Sequence, residues 1–410
     1  MHRFSRNPRW AVAALGLSLG LIASCAGDEP KRSFIYTVRN GAANAVHGFE
    51  VAADGSLSEL PGSPYLDGGG GLTHAAIISD HSIVTDDDGR HLFVVNPTTS
   101  DISVFDIGLD GRLHDVVGSP FPSGSKGNPV SLAISDDILY ASFNSSSFTA
   151  CVGCGYRGFR IAQSGALTPI DGAAIDLPEA PVSFPVSLSF NPAGDLLVAL
   201  RFSLTLDAPN ANVVETFALD RKTGLLQAAP GSPVETGQAN TQPLAAAFNP
   251  ANPQQLFVGS AVNIPRVGGA VAMYSITSAG AVALMPGSPV PSGEQKGTAW
   301  VAATNTGRQL YASNTFSDSI SRFTVTPAGE ITLDEVVPDL PDETGEAPRA
   351  IVITHDDRYL YVINGHGGVD GNGGSLVGFA LGTDGALTRL AFDPPRFVGE
   401  QPFGLVNVRR

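Results

Sequence analysis

Charge is scarce in this sequence. Asp, Glu, Lys and Arg make up 15% of its residues, against about 25% in an ordinary globular domain. The deficit falls on the basic side, with 24 Lys and Arg against 39 Asp and Glu. Outside residues 1–24 the balance is 21 against 39, a formal charge of −18. Such a chain is poorly suited to nucleic acid and to electrostatic docking on anionic lipid. Cysteine is nearly absent, with three residues, which excludes a disulfide-built scaffold. No GxSxG elbow, which would anchor serine-hydrolase chemistry, and no GxxxxGK phosphate loop occurs.

Glycine (47) and proline (30) are abundant, while hydrophobic residues still reach 43%. That excludes a disordered chain and fits an all-β protein of short strands joined by tight turns.

The N-terminus reads as a targeting segment. Arg3, Arg6 and Arg9 precede the uncharged run Trp10 to Ser24. Fifteen residues are too few for a membrane span of about 20 but suit a signal peptide. The run ends in Leu21-Ile22-Ala23-Ser24-Cys25, which resembles a bacterial lipobox. This predicts a signal peptide at 1–24, lipidation of Cys25, a short tether at 25–32 and a folded region at 33–410. Ala26 follows the cysteine where an Asp would resemble an inner-membrane retention signal, so the expected location is the cell envelope, at the outer membrane, held by the lipid.

One short pattern repeats seven times: DGSL, DGRL, SGAL, TGLL, AGAV, AGEI and DGAL, with glycines at 55, 111, 165, 224, 280, 329 and 385. Their spacing is 49 to 59 residues. A β-rich run keeps the same period, as in LFVVN at Leu92, LYASN at Leu310 and LYVIN at Leu360. Gly-Ser-Pro recurs at Gly62, Gly118, Gly231 and Gly287, marking strand exits because proline cannot continue a central strand. Small-residue strands precede the β-rich runs, at Pro129, Phe184, Pro243, Pro348 and Pro402. Seven units of four strands predict a seven-bladed β-propeller. The first unit lacks its innermost strand and the C-terminus carries a spare one, so the last strand should close the ring. Segments 74–90 and 204–212 read as insertions.

With these turns, exits and strands the chain resembles the lactonase-type seven-bladed propellers and, more loosely, YVTN-repeat propellers. The resemblance covers nearly all of 33–410. It implies the fold, and an activity among 6-phosphogluconolactonases and muconate-cycle lactonizing enzymes. The His-x-His pair and Asp-Leu-Gly-x-Asp run of those enzymes do not occur, so no catalytic residue carries over. The expectation is therefore a non-enzymatic binding or scaffold module for a protein, glycan or small molecule, with a lactonase-like hydrolase or isomerase as the alternative.

Cys151 and Cys154 form CVGC, expected as a local disulfide in an oxidising compartment, with free thiols or metal or redox chemistry as alternatives. Asp86-Asp87-Asp88 reads as a turn, since calcium loops alternate their ligands. His91 and His355 fall at strand ends. No metal or cofactor is expected. A ligand would sit where the innermost strands begin, beside His74, Asn128, Gln242, Arg349 and Gln401. Arg349 is the outstanding candidate because its fork of donors matches a carboxylate.

Mass spectrometry of the membrane fraction should find a chain that begins at Cys25 and carries acyl groups. A chain cut elsewhere and free in the periplasm would refute the lipobox.

Overall fold

Every unit forms one twisted antiparallel sheet. The computed structural model describes residues 31–71, 80–145, 149–180, 182–203, 211–236, 242–263, 266–339, 347–365, 374–392, 394–397 and 401–410. The signal segment, Cys25 and His74 lie outside the described residues. The chain separates into two units, Met1–Lys31 and Arg32–Arg410, and the second is the seven-bladed propeller.

The innermost strands are Ile83–Thr85, Asn128–Ser135, Phe184–Phe190, Gln242–Asn249, Thr298–Ala303, Pro348–Ile353 and Gln401–Arg409. They touch one another in that cyclic order, the last returning to the first. Blade 1 is closed by the C-terminus, where Gln401–Arg409 pairs antiparallel with Ser33–Asn40. Arg32 and Arg410 finish the seam by exchanging backbone hydrogen bonds. Closure removes two sheet edges that would otherwise invite association. Blade 2 corrects one expectation. Residues 74–90 are not a plain insertion, because they hold that blade's innermost strand, cut to three residues, Ile83–Thr85.

The repeated glycines all have positive φ, from 79° to 89°, a region open to glycine at little cost. Room is equally limiting. A Cβ on any of the seven would lie within 3.0 Å of a side chain in the preceding blade, such as Phe34 for Gly111 and Tyr359 for Gly55. Where the turn reads DG, the Asp takes the backbone N–H two residues on: Ser56 to Asp54, Arg112 to Asp110, Ala386 to Asp384.

The preceding blade then grips the turn. Tyr36, Tyr140, Tyr311 and Tyr361 donate to the carbonyls of Gly111, Gly224, Gly385 and Gly55 at 2.6–2.7 Å. Thr216 does the same for Gly280. Each such buried bond contributes about 1 kcal/mol net, and the rings bury much more. Burial pushes the Tyr140 hydroxyl up to about 12, so it remains a donor.

The other repeats have equally local causes. Each Gly-Ser-Pro serine accepts a third-strand N–H, from Gly48, Val104, Thr216 and Met273. The Asn that ends LFVVN, LYASN and LYVIN is buried. Its amide donates to third-strand serines: Asn96 to Ser103, Asn314 to Ser321 and Asn364 to Ser375. Apolar cores lie between blades. Phe93 and Val95 of blade 2 pack with Leu132, Leu139 and Phe143 of blade 3.

Two predictions follow from this architecture. Deleting Gln401–Arg410 should destroy the cooperative melting transition of the whole propeller. Loss of buried Phe403 alone is worth about 3–5 kcal/mol, and an unchanged melting temperature would contradict ring closure. The second concerns Asp67, buried and bonded by one carboxylate oxygen to the Gly69 N–H. Burial pushes its carboxyl up to about 6. The folded state favours the protonated form, so this stability is complete below the unfolded value near 4 and is lost as pH rises through about 6. At about 1.4 kcal/mol per unit the loss is about 3 kcal/mol. Asp67→Asn should therefore raise the melting temperature at pH 7.5, with an advantage that shrinks toward pH 4.

Candidate functional site

Innermost strands present one unpaired edge to the axis, and these edges bound the lumen. The end where these strands begin is the entry mouth; the opposite end is the exit.

Arg349, the second residue of blade 7's innermost strand, stands at the entry mouth. Its guanidinium lies 5.3 Å from the centroid of Phe403 in blade 1. Phe403 meets Trp300 of blade 6 edge to face at 5.8 Å. Three successive blades thus build one cation-on-aromatic stack. The Nε of Arg349 is sealed from solvent and has no hydrogen-bond partner among the described residues. Burial pushes the guanidinium down to about 10, still charged at neutral pH. Gly365 lets the backbone pass, since a Cβ there would run into Arg349 Nε.

The other expected residues serve differently. Gln242 is fully buried and donates to the Ser203 carbonyl at 2.9 Å, so it fixes blade packing. Gln401 gives its backbone carbonyl to the Asn40 amide at 3.3 Å. Asn128 opens its strand, half-buried, opposite Asn144. Cys151 and Cys154 are joined by a disulfide, with both residues buried. Asp86 accepts from the Arg90 and His91 backbone and from the His91 ring, so the acidic run is the turn into blade 2's second strand. The nearest approach to the missing acidic run, Asp106 to Asp110, lies in the third strand of blade 2 and the turn after it, away from the axis.

Sequence reasoning missed the segment Asp80–Ser82. It lies inside the lumen and satisfies edges of other blades. Asp80 N–H donates to the Val186 carbonyl of blade 4, and the His81 carbonyl accepts from Leu132 N–H of blade 3. His81 has φ +57°. Gly404 of blade 1 admits Ser82, whose hydroxyl a Cβ would strike. The Asp80 carboxylate is 13% exposed and lies 3.3 Å from His81 Nδ1. Burial pushes this carboxyl above its ordinary value, and the nearby imidazole opposes that shift. Trp300 was also missed. It is the only tryptophan beyond Trp10, placed in a strand otherwise made of small residues, which is a usable signal.

Two cavities adjoin the Asp80–His81 segment. One, of about 420 Å³, follows the axis to the exit and is lined by Asp80, Trp300, Phe248, Val352 and His355. The other, of about 500 Å³, lies beneath blades 2 to 4 and includes His81, Asp136 and Arg221.

Residues 268–369 match the family model "Lactonase, 7-bladed beta-propeller". No curated protein matches the chain. Among solved structures, a putative 6-phosphogluconolactonase from Bacteroides uniformis superposes with TM-score 0.70 at 18% identity, covering 93% of this chain and all of that one. One from Bacteroides fragilis gives 0.67 at 18%, covering 93% and 99%. The periplasmic gluconolactonase of Pseudomonas aeruginosa gives 0.66 at 18%, covering 91% and 99%. At such identities these likenesses speak for the fold alone.

Proposed function

We propose that this lactonase-type seven-bladed propeller is a hydrolase that opens lactones bearing an anionic group, bound at its entry mouth. The observation that carries the reading is Arg349, a half-buried guanidinium over the Phe403 ring whose buried Nε is unsatisfied among the described residues. A buried N–H left without an acceptor is costly. A ligand carboxylate or phosphate would supply the missing partner in a fork geometry. The edge-to-face Trp300–Phe403 pair keeps the wall beside Arg349 apolar, as a sugar-like ring would require. The matched family model and the likeness to a putative 6-phosphogluconolactonase and a periplasmic gluconolactonase support this reading over the binding or scaffold module that the missing His-x-His and acidic runs suggest.

Ring opening requires a water made nucleophilic and a donor for the oxyanion that develops on the carbonyl. Arg349 would hold the anionic end and fix the ring's orientation, and His74, which the sequence places before blade 2's innermost strand, is the candidate base. We place the enzyme in the cell envelope, tethered through Cys25.

Purified protein should hydrolyse 6-phosphogluconolactone faster than the uncatalysed reaction, and faster than the uncharged glucono-δ-lactone. Arg349→Ala should raise KM for the phosphorylated substrate at least tenfold, Arg349→Lys should restore part of that loss, and His74→Ala should reduce kcat. A folded protein with no turnover above background would return the assignment to a binding module.

A further inference from the structure

The exit half of the lumen has a different chemistry. We propose that it is a second binding site, for a small organic cation: an ammonium group carried on an apolar body. This inference does not rest on the hydrolase reading.

The cavity is about 420 Å³, enough for a small ligand, and is walled by the innermost strands of six blades. Ala246, Phe248, Trp300, Val352 and Ile353 supply apolar surface. The polar side chains gather at its two ends, with Asp80 and His81 inside and Asn305, His355, Asp357 and Asn407 toward the exit. Two are carboxylates and two imidazoles, and among the described residues no Lys or Arg lines the cavity. Arg221 in the adjoining cavity is committed to Asp136 at 2.7 Å and to the Ala193 carbonyl.

Hydrogen bonding makes the exit end accept rather than donate. Asn407 Nδ2 donates to Ser33 Oγ and to the Phe34 carbonyl, so its Oδ1 is an acceptor. That oxygen lies 2.7 Å from His355 Nδ1, which must carry the proton. Neutral His355 therefore keeps its lone pair on Nε2. Asp357 is held by the backbone N–H groups of Asn305 and Thr306 and by the Asn305 amide. At the inner end, the Asp80 carboxylate accepts from the His81 backbone N–H and lies beside the His81 imidazole, its partners among the described residues. An ammonium donates three hydrogen bonds and accepts none. It would find a desolvated carboxylate at one end, an acceptor rim at the other, and aromatic surface between. A carboxylate or phosphate would meet like charge.

The test is calorimetric titration of the full chain with phenethylamine and with 3-phenylpropanoate, which carries opposite charge on the same apolar body. Phenethylamine should bind saturably at 1:1 and 3-phenylpropanoate should bind at least tenfold more weakly. Asp80→Asn should weaken the amine at least tenfold, and Asp357→Asn by a smaller factor, with melting curves confirming the fold. Equal binding of both probes, binding of neither, or amine affinity unchanged in folded Asp80→Asn would overturn the proposal. Should Asp80→Asn not fold, the charge selectivity of the wild type and the effect of Asp357→Asn decide the matter, and loss of both overturns it. Lactone hydrolysis measured on the same samples keeps this outcome separate from the fate of the entry-mouth reading.

Discussion

The grip of each blade on the next one's outer turn is the constraint from which the rest of the ring follows. A glycine with positive φ turns the chain, and its missing Cβ, with its carbonyl in five of the turns, fits against side chains of the preceding blade. Tyr361 holding Gly55 is one of the contacts that join blade 7 back to blade 1, beside Tyr359 holding the Ala53 carbonyl. Removing the glycine would cost twice, through backbone strain and through a clash with the neighbour. This double requirement explains why the glycine persists in all seven copies while the residues around it vary.

That regular frame sets the lumen, and the lumen departs from it. Six innermost strands run six to nine residues and one runs three. Where blade 2 gives up its strand, Asp80–Ser82 enters the axial space and bonds to blades 3 and 4. The entry side collects Arg349 over aromatic rings; the exit side collects carboxylates and acceptors around apolar walls that include Phe248 and Trp300. On the two readings proposed above, the ends of one tube take ligands of opposite charge. Nothing in the blade repeat dictates this, since the determining residues occupy non-equivalent positions in different blades.

How much was legible in the sequence follows the same division. Blade number, phasing and closure by Pro402–Val408 were readable because each rests on a local, repeated cause: positive φ at glycine, a serine acceptor before proline, a buried Asn at the strand end. Blade 2's innermost strand was hidden because Asp80, His81 and the aspartates after it read as a polar loop, and a three-residue strand has too few positions to show alternation. At the mouth, Arg349 could be picked out by its place before a strand, but its aromatic platform could not. Phe403 and Trp300 come from blades 1 and 6, and only ring closure makes them neighbours. Gln242 shows the opposite failure: its position resembled that of Arg349, yet its amide is spent on Ser203.

The shortened strand has a further consequence for symmetry. A ring of equivalent repeats offers a guest on its axis seven indistinguishable angular positions, so a bound molecule could adopt any of them. By filling part of the axis from one side only, Asp80–Ser82 removes that degeneracy and gives the lumen a single azimuth. A defect in one repeat then adds a backbone constraint on the orientation of an axial guest to the side chains that already differ between blades.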